Sequence, residues 1–199
     1  MNYKSTINVL LLSMVLVSCA AKIVSRNYYQ GHAAQLEIIE KDYKQLYKEK
    51  PFSLAFTSKD FTTVQVEIIT DTITYIYDFD VDGRPILDTL QKYGLRQNRI
   101  YSLITKMKKI RCTWINSFDY YVNDKEQHLI FISIKPVLVR YPLSPPRYYI
   151  IAYFDRPQSF DKEGRLLDGM KVKRLRKLNG QVFKKINDRV CYTIAEKYR

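Results

Sequence analysis

Apolar positions recur along the chain with two periods, and the switches between them predict the order of elements. Leu36, Ile39, Tyr43 and Leu46 fall at i, i+3, i+7 and i+10. That is one stripe of a helix over 28–49, with Glu40, Lys41, Lys44 and Lys48 on the other side. Pro51 marks its end. The period then drops to two. Val64, Val66 and Ile68 alternate with Thr63, Gln65 and Glu67, and after Thr70-Asp71 a second run sets Ile73, Tyr75, Tyr77 and Phe79 on one face. The two runs predict a hairpin. Helical spacing returns over 85–109, broken near Gly94, with Ile100, Leu103, Ile104 and Met107 as its stripe. Three strands are expected next: 110–121, with Cys112, Trp114 and Phe118 on one face, then 128–139, then 148–154 beyond a proline-rich loop at 142–147. A last hairpin is expected over 182–194, turning at Asn187-Asp188. The sum is an α+β domain: an antiparallel sheet of about six to eight strands with an N-terminal helix and a middle helical segment.

The first 20 residues follow a different logic. A short polar start carrying Lys4 leads into an apolar run, Ile7 to Val17, and then into Ser18, Cys19, Ala20 and Ala21. A positive start, a short apolar core and small residues after it form a secretory signal. The run is too short to span a bilayer as a helix, which needs about 20 residues. Leu16-Val17-Ser18-Cys19 resembles the lipobox of bacterial lipoproteins. That resemblance implies that residues 1–18 are removed and that Cys19 becomes the first mature residue and carries covalent lipid, the only added group expected. Several acyl chains hold a protein stably where one holds only marginally. Asp is missing just after the cysteine, where the class places it for retention in the inner membrane. Acidic clusters of the kind that send some members to the cell surface are missing too. The resemblance therefore points to an outer-membrane protein facing the periplasm. Residues 19–27 are expected to be a lipidated tether and 28–199 a single domain.

Charge narrows the partners. Lys plus Arg is 33 against 20 Asp plus Glu, a net +13, and removing residues 1–18 takes away only Lys4 and leaves +12. Lys92 to Arg111 contains no acid, and Lys171 to Lys177 holds five basic residues in seven. The candidate anion-binding residues are Arg99, Lys106, Lys109, Lys171, Lys173, Arg174, Arg176 and Lys177. Basic clusters attract anions. In the cytosol this charge, with 17 tyrosines, would point to nucleic acid. Export argues against that, and leaves anionic lipid, lipopolysaccharide phosphates or an acidic envelope protein. The plainer reading is a solvated basic surface.

Motifs for chemistry are sparse. Asp78-Phe79-Asp80-Val81-Asp82-Gly83 matches the start of a calcium loop, with oxygen ligands at alternate positions and a glycine for the turn. Position 12 is Thr89 where a bidentate Glu is needed, and Pro85 interrupts. The competing reading is a solvated turn that starts a helix at Pro85. His32 and His128 have no Cys or second His nearby in sequence. Cys112 and Cys191, the thiols left once Cys19 is lipidated, form either a disulfide, permitted in an oxidising periplasm, or two buried small hydrophobes. No Cys-x-x-Cys, nucleophile elbow, phosphate loop or dinucleotide fingerprint occurs. The expectation is a non-enzymatic binding or structural module in the envelope. Two alternatives stay open. One is an envelope hydrolase or glycan-modifying enzyme, using Asp78, Asp80 and Asp82 with His128. The other is a carrier of a small apolar ligand, which needs a hollow interior.

Overall fold

The structure is a computed structural model that describes residues 3–122, 125–137, 145–168, 171–178 and 180–196; side chains are described from Ala21 onward, apart from 122–125 and 171–173 within that range. The element order is α1 (Tyr3–Glu49), β1 (Phe52–Phe56), β2 (Thr63–Ile69), β3 (Thr74–Asp80), α2 (Arg84–Lys92), α3 (Gln97–Lys109), β4 (Trp114–Val122), β5 (Lys125–Pro136), β6 (Arg147–Phe154), β7 (Leu167–Asp168), β8 (Lys171–Leu175), β9 (Lys177–Leu178), β10 (Gln181–Val182), β11 (Lys184–Lys185) and β12 (Val190–Glu196). Eight strands form one sheet in the order β11-β12-β6-β5-β4-β1-β2-β3, every pair antiparallel. The α+β class, the large antiparallel sheet and both helical segments are as the periodicity predicts.

The three helices cover one face of the sheet. The predicted α1 stripe, Leu36, Ile39, Tyr43 and Leu46, is buried, as are Ile86 and Leu90 of α2 and Ile100, Leu103, Ile104 and Met107 of α3. They meet the inward side chains of the strands, among them Leu54, Val66, Ile115, Ile132 and Ile151. Removing each such side chain from water contributes about 1.5–3 kcal/mol. Tyr43 is fully buried and its hydroxyl donates to the Phe52 carbonyl at 2.5 Å, which ties the end of α1 to β1. β1 is a central strand, paired with both β2 and β4. It is only five residues long and follows Pro51 directly, and the periodicity did not reveal it.

The chain from 155 to 189 covers the opposite face. Phe160, Leu166, Leu178 and Phe183 pack onto Trp114, Phe131, Ile150, Ala152, Phe154 and Cys191. Two small ribbons, β7–β8 and β9–β10, support this layer.

The segment expected as a lipidated tether, 19–27, has a regular backbone. The backbone is helical through 19–27, and Ala21 and Ser25 are buried against the domain. α1 bends at His32, whose φ of −134° is non-helical. The preceding Gly31 explains the position, since helices kink most readily where a glycine removes the side chain.

Candidate functional site

The end of the β4–β5 hairpin and the ribbon layer enclose a cleft of about 520 Å³. Alternation along β4 sends Phe118 and Tyr120 to the ribbon side, where they meet Leu129 and Phe131 of β5. The Phe118 and Phe131 rings lie 4.8 Å apart, and Tyr120 stands edge-on to Phe154 at 5.5 Å. Asp168, Arg176, Lys177 and Leu178 close the cleft from the ribbons.

Arg176 is the unusual member. It is only 9 % exposed, and its guanidinium sits 5.6 Å from the Tyr120 ring centroid. It donates to Gln158 Oε1 at 3.0 Å and lies 3.6 Å from the Asp168 carboxylate. The Tyr120 hydroxyl donates to Gln127 Oε1 at 2.8 Å. Burial raises the Tyr120 phenol, with Arg176 opposing it. A buried cation held by a carboxylate, an amide and a ring face is a rigid group rather than a free anion trap. Lys177 is exposed at the rim and is the more available charge.

Beside the cleft, Asp119 and His128 are cross-strand partners, and His128 Nδ1 lies 2.6 Å from Asp119 Oδ1. With Glu126 they put one ligating atom each within 4.8 Å of one another. Carboxylate and imidazole together suit a divalent transition metal. All three are exposed, and Asp119 and His128 already contact each other.

The other sequence candidates are spread out. Asp78 and Asp80 lie on β3, an edge strand, and Asp82 follows in the turn. Asp78 accepts from Gln65 Nε2 at 3.4 Å, and Asp82 accepts from the Tyr101 hydroxyl at 3.1 Å. Gly83 caps α2 with Pro85 in its first turn, which is the competing reading of the calcium-loop motif. Carboxylates on an exposed edge discourage pairing with a second chain. β3 stands four strands from β5, roughly 19 Å at the usual strand spacing. The three acids therefore do not meet His128, and the hydrolase reading loses the constellation it named.

Several basic candidates turn out to serve the fold. Arg99 donates to Gln45 Oε1 at 2.8 Å and lies 3.8 Å from Glu49, and Lys106 pairs with Asp42 at 2.6 Å. Lys109 and Arg174 are exposed. The side chains of Lys171 and Lys173 lie outside the described residues, as does that of Cys19.

The disulfide alternative gives way to the other. Cys112 and Cys191 are both free and buried, and they belong to different cores, Cys112 under the helices and Cys191 under the ribbon layer. Cys112 precedes β4 in a turn where Arg111 has a φ of 58°, so the two-residue alternation does not reach back to it. Burial pushes the Cys112 thiol up to about 12, against a smaller opposing effect of its hydrogen bond with Tyr28, and burial pushes Cys191 up as well.

The cleft was not legible in sequence because its parts come from β4, β5, β7 and β9. The only local signal was the Tyr120-Tyr121 pair, of which Tyr120 faces the ribbons and Tyr121 is 68 % exposed. No protein-family model, no curated protein and no solved structure matches this chain.

Proposed function

We propose that the protein is a lipid-anchored component of the bacterial cell envelope, held in the outer membrane by acyl chains on Cys19 and facing the periplasm. Its domain acts as a non-enzymatic binding module. The observation that carries this reading is Leu16-Val17-Ser18-Cys19 behind a short apolar run, followed at once by a helix that packs into the domain. Among the described residues no helix is long and apolar enough to cross a membrane. The cleft supports the binding role: aromatic faces suit a ring-shaped ligand, and Lys177 at its rim suits a negative group on that ligand.

The test is Cys19→Ser in the producing cell. Fractionation should move the protein out of the outer-membrane fraction, and fatty-acid label should be lost. Label that persists in the variant overturns the anchor.

A further inference from the structure

Resting on that anchor, we infer that the end of the molecule beside Cys19 is a membrane-docking surface, made by Lys22, Ile23, Lys108, Lys109 and Arg111, and that its partner is an anionic bilayer. The first support is the lack of slack. Cys19 is two residues before the buried Ala21 and six before the buried Ser25, on one continuous helix. Two residues of helix rise only about 3 Å, so the acyl chains cannot hold the domain far from the lipid.

The second support is what lies at that end. α3 runs antiparallel to α1: Arg96 reaches Glu49 at 2.9 Å, Lys106 reaches Asp42 at 2.6 Å, and the Ile110 carbonyl accepts from the Tyr28 hydroxyl at 2.6 Å. The last turn of α3, with Lys106, Lys108 and Lys109, therefore points toward the anchored end. Tyr28 is nine residues past Cys19, about 13 Å along the helix. Long basic side chains at that height come within about one Debye length of the headgroups, where screening is incomplete.

The third support is the distribution of acid. The first acidic residue of the chain is Glu37, and Lys92 to Arg111 has none. Along the α1–α3 seam, bases facing Asp42 and Glu49 are paired. Before Glu37, toward the anchored end, α1 offers no carboxylate. Among the described residues Lys22, Lys108, Lys109 and Arg111 have no acidic partner in the ion pairs that hold the fold. Once residues 1–18 are removed, as the anchor requires, Lys22 stands in the first turn of the helix, where the dipole is positive and gives it no stabilisation. Ile23 is 58 % exposed and stands four residues from Cys19, so the two positions share a helix face opposite Ala21. An exposed isoleucine next to Lys22, on a molecule whose Lys108 and Lys109 have no acidic partner and whose Arg111 rests on the Phe61 ring at 5.1 Å, is the composition of an interfacial contact.

The test uses the mature lipidated protein in vesicles of phosphatidylcholine alone or with about one-third phosphatidylglycerol. An amine-acetylating reagent is applied, and modification of Lys22, Lys108 and Lys109 is read by mass spectrometry against the exposed Lys162 of the ribbon layer. On anionic vesicles the three lysines should react at least about threefold more slowly relative to Lys162, and about 0.5 M salt should remove the difference. Combining Lys22→Glu with Lys109→Glu should remove the protection of Lys108 on anionic vesicles. Equal modification on both vesicles, with acyl mass present on Cys19, overturns the docking surface alone. A Cys19 without acyl mass overturns the anchor and this surface with it. Protection that appears only after an acidic envelope protein is added assigns the surface to a protein and overturns the membrane.

Discussion

The two faces of the central sheet are covered in different ways. The helix face is closed by three helices whose apolar stripes lock onto long rows of Val, Ile and Leu. The ribbon face is closed by a chain with only two- to five-residue strands, resting on Phe160, Leu166, Leu178 and Phe183. Buried polar groups also collect away from the helices: Ser53 donates to Glu67 at 2.8 Å across β1 and β2. Stability therefore concentrates on one side. The other side has few anchors and carries the cleft, as expected where binding needs surfaces that can adjust.

The thiols report on this difference directly, one in each core. Both should be almost unreactive in the native state, because a thiol raised to about 12 holds roughly a thousandth of the thiolate of a free one. In moderate urea Cys191 should label before Cys112, as the ribbon layer opens first. Simultaneous labelling would mean one cooperative unit and would break the comparison. The proposed lipid on Cys19 would leave two thiols, Cys112 and Cys191, to count after full unfolding.

Truncations come next in size. Leu103→Ala empties a fully buried position between α3 and the sheet. It should cost about 4 kcal/mol and lower the whole unfolding transition in urea. Phe183→Ala removes a ring stacked on Phe131 at 5.6 Å and 9°. It should cost about 3 kcal/mol, less than the leucine because the thin layer can collapse into the space. Its loss should speed labelling of Cys191 and leave Cys112 protected. A Phe183→Ala protein with both thiols equally exposed would show that the faces are not separable.

Arg176→Ala tests the ribbon face from its polar side. The guanidinium fills space against Tyr120 as well as carrying charge, so its loss should cost about 2 kcal/mol. Arg176→Lys should recover part of that, since the charge near Asp168 remains and the flat stack does not. Urea unfolding separates the three proteins. Full recovery by lysine would assign the role to charge alone.

The same contrast explains what could be read from the sequence. Helices and paired long strands announce themselves by period, so Leu36 to Leu46, Val64 to Ile68 and Ile100 to Met107 were legible as core. A ribbon of two residues has no period to detect. Arg176 looked like one more cation in a basic run, and only the fold shows Tyr120, Gln158 and Asp168 gathered around it. The pairing of Lys106 and Arg99 was hidden for the same reason: their partners, Asp42 and Glu49, are fifty or more residues away. The resemblance of Leu16 to Cys19 to a lipobox needs no fold to be seen, because it rests on four consecutive residues.

The smallest expected effect lies at the rim of the helix face, at Glu40. Its carboxyl is raised above the ordinary 4.5, first by burial, with Lys44 and Arg189 working against the rise and Asp155 adding to it. The Arg189 guanidinium is 3.9 Å away, too far for a good hydrogen bond. A raised carboxyl favours the folded state most when it is protonated. That contribution is complete below about 4.5 and fades as pH rises through the folded value. At neutral pH the protein therefore carries a partly uncompensated buried charge at this position. Glu40→Gln keeps the shape and removes the ionisation. It should raise Tm slightly at pH 7, by less than any change above, and the advantage over the parent should shrink as both are moved toward pH 4. A lower Tm for the glutamine variant at pH 7 would mean that Lys44 and Arg189 outweigh burial, and that the rim is held by charge rather than merely tolerating it.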